Sequence, residues 1–302
     1  IPKNNELRIE YGCELRFSND AMLVVQPGGK LVAGAIKCDG DPAVDTVRFD
    51  FSGAIVESLI GWDGIRVDST AVCSLDLCRF EGVSRFLGDG PGAVTAYKAD
   101  LTVNNSFFNR NRAGLTGGGA MNIEKSRVSV QNCRFTNNFA VGHGGALKIS
   151  SEDSALVRFC TFEDNETTGD TADGGAVYAS GDVHFVDDTM NWNESYHDGG
   201  AFYGIEFDGS IQRCIVKFNL ANHWGGGFYL FGESNPWMNR TLVCYNYALA
   251  YEGTGGLYSE GPTPKIENSI FTHNEGGGVT LTSSPFSDTT RVFNCTIANN
   301  TD

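Results

Sequence analysis

His143, Asp173, His197, Asp198, His223 and Trp224 recur at corresponding places in successive segments of this 302-residue chain, most of them just ahead of a glycine pair. Carboxylates, imidazoles and an indole brought within a few ångströms of one another are the groups that acid/base chemistry on a sugar needs. Tyr196, Tyr251 and Glu252 lie in the same kind of segment and extend the candidate ligand surface, with Trp224 and Tyr196 as its anchors. Asp170 and Asp173, with Asp198, are of the type that holds Ca²⁺; beyond that ion no cofactor is expected. Should the chain be an enzyme, Asp173, Asp198, His197 and His223 are the residues to carry it. His143, Asp173 and Asp198 precede their glycine pairs directly, whereas His223 is read as lying two residues earlier in its loop than they do. A solvated polar edge is the plainer reading of this stripe, and it is preferred.

What must position these groups is a repeat. Asn111, Asn138, Asn165, Asn193, Asn219, Asn246, Asn274 and Asn300 are separated by 27, 27, 28, 26, 27, 28 and 26 residues. Three positions before each stands an apolar residue: Phe108, Phe135, Phe162, Met190, Val216, Val243, Phe271 and Ile297. A second marker falls between the asparagines: Gly118-Gly119-Ala120, Gly144-Gly145-Ala146, Gly174-Gly175-Ala176, Gly199-Gly200-Ala201, Gly226-Gly227-Phe228, Gly255-Gly256-Leu257 and Gly277-Gly278-Val279. In this reading Phe228, Leu257 and Val279 replace the alanine. One such unit cannot bury its apolar face alone and must stack on its neighbours.

The runs after the glycines are short, rich in branched and aromatic residues and bounded by Gly, Asn and Asp, which favours strands. Three short strands in a turn of this length predict an all-β, right-handed parallel β-helix. About ten to eleven turns would make a rod on the order of 50 Å long. Stacking converts the asparagines into a buried ladder whose amides satisfy one another. Residues 1–63 read as less regular opening coils and 64–302 as regular ones, in a single domain that looks like a segment of a longer protein. Val83 stands where a further ladder asparagine is expected.

Composition narrows the partners. The net charge of -15 argues against nucleic acid or an anionic membrane surface, because phosphate binding relies on clustered Lys and Arg. No apolar run is long enough to span a membrane. Of nine cysteines, Cys78, Cys133, Cys160, Cys214 and Cys295 share one repeat column with Ser106, Asp188, Thr241 and Ser269, which marks a packing position. Cys133 and Cys160 are expected as stacked free thiols, whereas Cys73 with Cys78 and Cys13 with Cys38 are the better disulfide candidates. Sequons occur at Asn104, Asn165, Asn193, Asn239, Asn294 and Asn299. A ladder amide cannot carry a glycan.

The units Cys133-Arg134-Phe135-Thr136-Asn137-Asn138 and Gly144-Gly145-Ala146-Leu147 resemble the FxxN and GGA(I/L/V) repeats of chlamydial polymorphic outer-membrane proteins, over about residues 78–302. That resemblance implies secretion or surface display, often with an adhesive role, and no catalytic residue. The expected function is therefore adhesion, recognition or a structural surface role toward glycans or surface proteins, in an extracellular or cell-surface setting. A polysaccharide lyase or glycoside hydrolase is the alternative, and a self-associating fibre subunit the third reading. The polygalacturonase motifs are met only in the wrong order: Gly142-His143-Gly144 precedes Asp187-Asp188, and Asn300-Thr301-Asp302 comes last.

Overall fold

The computed structural model describes residues 1–10, 12–18, 21–34, 47–51, 62–83, 88–90, 92–283 and 290–301. Among them there is no helix. One coil shows the plan: strands Met121–Glu124, Arg127–Gln131, Arg134–Thr136 and Phe139–Ala140 follow one another around the axis. Each pairs in parallel with its counterpart one coil on, so that Met121 meets Leu147, Val130 meets Val157, Phe135 meets Phe162 and Ala140 meets Thr167. The two-residue fourth strand is an addition to the three expected. It forms a six-stranded sheet of its own.

The third face is an 11-stranded parallel sheet from Glu14–Phe17 to Thr296–Ala298. The first and second faces merge into one 19-stranded sheet, because Leu147–Arg158 and Val177–Val186 run as single strands around the corner between them. Complete turns number about nine, slightly fewer than expected. The solenoid itself is as the repeat predicted.

Inside, Phe49, Phe80, Phe108, Phe135 and Phe162 form a continuous stack with ring centroids 4.6–4.9 Å apart, all fully buried. Met190, Val216, Val243 and Phe271 continue the column. Removing a phenylalanine side chain from water contributes about 1.5–3 kcal/mol, and parallel rings add to that. Beside them runs the asparagine ladder. Asn138 Oδ1 accepts from the backbone N–H of Asn111 at 3.1 Å and from its Nδ2 at 2.9 Å, while Asn138 Nδ2 donates to Phe108 O and to Asn165 Oδ1. The pattern repeats as far as Asn300. Val83 ends it by donating its backbone N–H to Asn111 Oδ1.

The corners explain the rest of the repeat. The residue before each ladder asparagine has a positive φ: Arg110, Asn137, Asp164, Trp192, Phe218, Tyr245, His273 and Asn299 all lie between 53° and 58°. At the other sharp corner Gly144 takes φ 70°, and a Cβ on Gly145 would stand 2.1 Å from Gly175 O. The first glycine thus needs the left-handed region and the second needs the space.

Register corrects the later glycine markers. Phe202 pairs with Phe228, Phe228 with Leu257 and Leu257 with Val279, so these stand in one column with Val177 and Leu147. Gly227, Gly256 and Gly278 therefore take the place of the alanine, and the pair matching Gly199-Gly200 is Gly225-Gly226. The left-handed φ of 68° belongs to Gly225, which is why the corner forms there.

Cys73 and Cys78 are buried free thiols, not a disulfide. They belong to different faces of the coil, in Val72–Asp76 and Cys78–Glu81. Cys133 and Cys160 are free as expected, their thiols donating to backbone carbonyls such as Gln131 O and Arg158 O. Burial pushes the Cys73 thiol up to about 12 and the Cys78, Cys160 and Cys214 thiols upward too, so these sulfurs pack and do not react. Cys38 lies outside the described residues, so the Cys13–Cys38 pairing falls there as well; Cys13 is free.

Candidate functional site

The glycine corner delivers two parallel columns of side chains to one rim of the solenoid. Backbone hydrogen bonds from Gly144 to Asp173 O, from Gly174 to Asp198 O and from Gly199 to Trp224 O, each 2.9 Å, place His143, Asp173, Asp198 and Trp224 over one another. One residue upstream, His223 N–H donates to His197 O at 3.0 Å. His223 is thus level with His197 and not displaced from it, because the corner is made by Gly225. Trp224 accordingly takes the place directly before the glycines.

The two aspartates are not a solvated edge: Asp173 is 7% and Asp198 4% exposed. His197 Nδ1 stands 2.8 Å from Asp173 Oδ1 and 3.0 Å from Asp198 Oδ2, one nitrogen between two carboxylates. Backbone N–H groups complete the clamp, Asp198 N–H donating to Asp173 Oδ1 and Trp224 N–H to Asp198 Oδ1 at 3.0 Å. Burial raises the Asp198 carboxyl to about 6; the Trp224 N–H and His197 pull it down, and Asp173 pushes it further up. The exposed His223 ring lies 4.3 Å from that of His197 and is lowered by partial desolvation and then by its neighbour.

His143 meets Asp173 twice, and the two contacts require different protonation states. Asp173 N–H donates to His143 Nδ1 at 3.1 Å, so in a neutral ring that nitrogen is the acceptor. Its 3.3 Å approach to Asp173 Oδ2 then brings a lone pair against a carboxylate and becomes an ion pair only on protonation. The backbone bond is the contact that holds in the neutral ring.

Against these columns runs a row of tyrosines on the first face. Tyr178, Tyr203, Tyr229 and Tyr258 have centroids 5.1–5.3 Å apart and planes within 7°. His143 covers the near end at 4.5 Å from Tyr178, and Trp224 lies 5.7 Å from Tyr258. Burial raises the Tyr178 hydroxyl to about 12 and those of Tyr203 and Tyr229 higher still; Tyr229 donates to Glu260 Oε2 at 2.7 Å. Rings stacked on each other cannot also offer their faces to a sugar. Tyr203 and Tyr229 are buried, so only the half-buried Tyr178 and Tyr258 reach the surface of this row.

The remaining candidates, Asp170, Tyr196, Tyr251 and Glu252, are all exposed. Tyr251, 93% exposed, and Glu252 line a separate shallow hollow of about 460 Å³ with Tyr247, Leu249 and Glu275. Asp170 joins no group of three or more metal-ligating side chains among the described residues, whereas His197, Asp198 and His223 do form one.

A second aromatic row escapes a reading of the loops. Trp192, Phe218, Tyr245 and His273 stack at 4.6, 5.3 and 5.0 Å, and all but the half-buried Phe218 are exposed. Each precedes a ladder asparagine, and that fixed offset is the signal that could have revealed the row.

A coiled parallel sheet of this kind, with its irregular connections along one rim, defines a solenoid that displays side chains on its edge. The family model described as "Right handed beta helix region" matches residues 35–210 and 170–302, and the chain belongs to that family. No curated protein and no solved structure matches it. Among the described residues no helix is long and apolar enough to cross a membrane.

Proposed function

We propose that this chain is an extracellular or cell-surface recognition β-helix whose ligand face is the rim formed by His143, Asp173, His197, Asp198, His223 and Trp224 beside the tyrosine row. One observation carries the reading: two buried, backbone-clamped carboxylates meet the same imidazole at the edge of an aromatic wall. With ring faces covered, recognition there runs through hydrogen bonds, which suits a hydroxyl-rich glycan. The net charge of -15 turns that preference toward neutral or amino sugars and away from acidic polysaccharides. A glycan array tests it. Binding to neutral or amino glycans that is lost in His223→Ala and Trp224→Ala supports the rim, and binding unchanged by both rejects it.

A second reading is favoured by the Asp198 carboxyl lying near 6, which suits a group that gives and takes protons near neutrality. In that reading the chain cleaves a polysaccharide, with Asp198 as acid or base and Asp173 and His197 holding it. Release of reducing ends or unsaturated products from a polysaccharide panel, abolished in Asp198→Asn, would replace recognition by catalysis.

A further inference from the structure

We infer that His197, Asp198 and His223 form a binding site for one divalent transition-metal ion of the zinc class. This goes beyond the recognition reading and does not depend on it. One ligand atom from each of the three side chains lies within 4.8 Å of the others. Ligands held about 2.0–2.1 Å from a tetrahedral ion are themselves about 3.4 Å apart, so closing on the ion takes a small rotation of the exposed His223 ring.

The coil supplies the arrangement. His197 and His223 occupy the same position on neighbouring turns, with His223 N–H bonded to His197 O and the rings 4.3 Å apart at 52°. Both imidazoles are therefore carried on one rigid ladder at strand spacing, and the tilt lets their nitrogens converge. Asp198 is pinned through Oδ1 by the Trp224 N–H, which leaves Oδ2 facing His197. Asp173 Oδ1, 2.8 Å from His197 Nδ1, supports the site in either orientation of binding. It is the acceptor that fixes the ring when Nε2 ligates, and the fourth ligand, a second oxygen, when Nδ1 does.

Ligand type selects the ion. Two imidazoles with one carboxylate suit Zn²⁺, Co²⁺ or Ni²⁺, while Ca²⁺ and Mg²⁺ demand oxygen ligands in greater number. The two carboxylates offset the charge of a dication, and the exposed His223 gives it a path from solvent.

The test uses the full, tag-free chain stripped with a chelator and then titrated with Zn²⁺ by calorimetry, with Co²⁺ as a spectroscopic probe and no glycan present. The expected result is one ion per chain, with a visible Co²⁺ spectrum of nitrogen and oxygen ligation and no heat from Ca²⁺. Asp173→Asn should weaken binding by about 10–100-fold, and His223→Gln by at least as much. His273→Gln, remote from the site, should change nothing. Because His223 is at the surface, its variant folds normally, so full-affinity zinc binding in His223→Gln, or no zinc binding in the wild-type chain, overturns the inference. Neither outcome touches the glycan reading, whose array is run in chelator.

Discussion

His223 lies directly over His197, one coil apart, its backbone N–H on the His197 carbonyl at 3.0 Å and the two rings 4.3 Å apart. That superposition joins the repeat to the site: whatever the loop between Asn and glycine contains, the last two residues before the corner are delivered in register with those of the next turn. The same stacking rule makes the interior testable.

Asn165→Ala should be among the most damaging single changes on the ladder. It removes the acceptor of the Asn138 N–H and Nδ2 and the donor to Phe135 O, all buried. At about 1–3 kcal/mol for each of the three orphaned groups the expected loss is roughly 3–9 kcal/mol. Asn111→Ala, at the end of the column, leaves one donor fewer stranded and should cost less. Denaturant unfolding of the two variants checks the order, and equal losses would mean the ladder does not act as a column.

Asp188→Ser should stabilise the protein at neutral pH. Asp188 is buried in the cysteine column, accepting from the N–H groups of Cys160 at 2.7 Å and Val186 at 3.0 Å, and burial holds its carboxyl well above the usual 3.8. A raised carboxyl means that the folded state binds more protons than the unfolded one. Its cost is therefore absent below 3.8 and grows as pH rises from there toward the folded value. Ser106 fills the equivalent place without charge, its Oγ accepting from Cys78 N–H. The variant should gain about 1–2 kcal/mol at pH 7 and little at pH 3; a pH-independent difference between variant and wild type would contradict this account.

Phe135→Ala opens a cavity in the middle of the phenylalanine stack, between Phe108 and Phe162. A loss of about 3–5 kcal/mol is expected. Thermal unfolding should show it as a fall in Tm, and Phe135→Leu should recover most of it.

In a secretory eukaryotic host, Asn165 and Asn193 should stay unmodified despite their sequons, since both are 1% exposed. Asn294 and Asn299 are exposed and are the acceptors to expect. Peptide mass spectrometry decides it, and a glycan on Asn165 or Asn193 would show that the amide is not held in the folded ladder.

The spacing of Asn111 to Asn300, the apolar residue three places earlier and the short runs of branched and aromatic residues after the glycines together determined a stacked parallel coil, because a strand-forming unit repeated in tandem buries its apolar side and satisfies its amides by stacking on its neighbours. Free thiols at Cys133 and Cys160 followed from the same column logic. The site was legible as a set of residue types and not as a geometry. Loops of unequal length separate the asparagines from the glycines, so counting residues cannot say which glycine turns the corner. Positive φ and the lack of room for a Cβ choose Gly225, and that choice puts His223 over His197 and Trp224 over Asp198. Tertiary structure also decided that Asp173 and Asp198 are buried against one imidazole, and that the tyrosines cover one another's faces. Both depend on side chains from different coils sharing a few ångströms, a distance that hydrogen-bond register between coils sets and linear spacing does not.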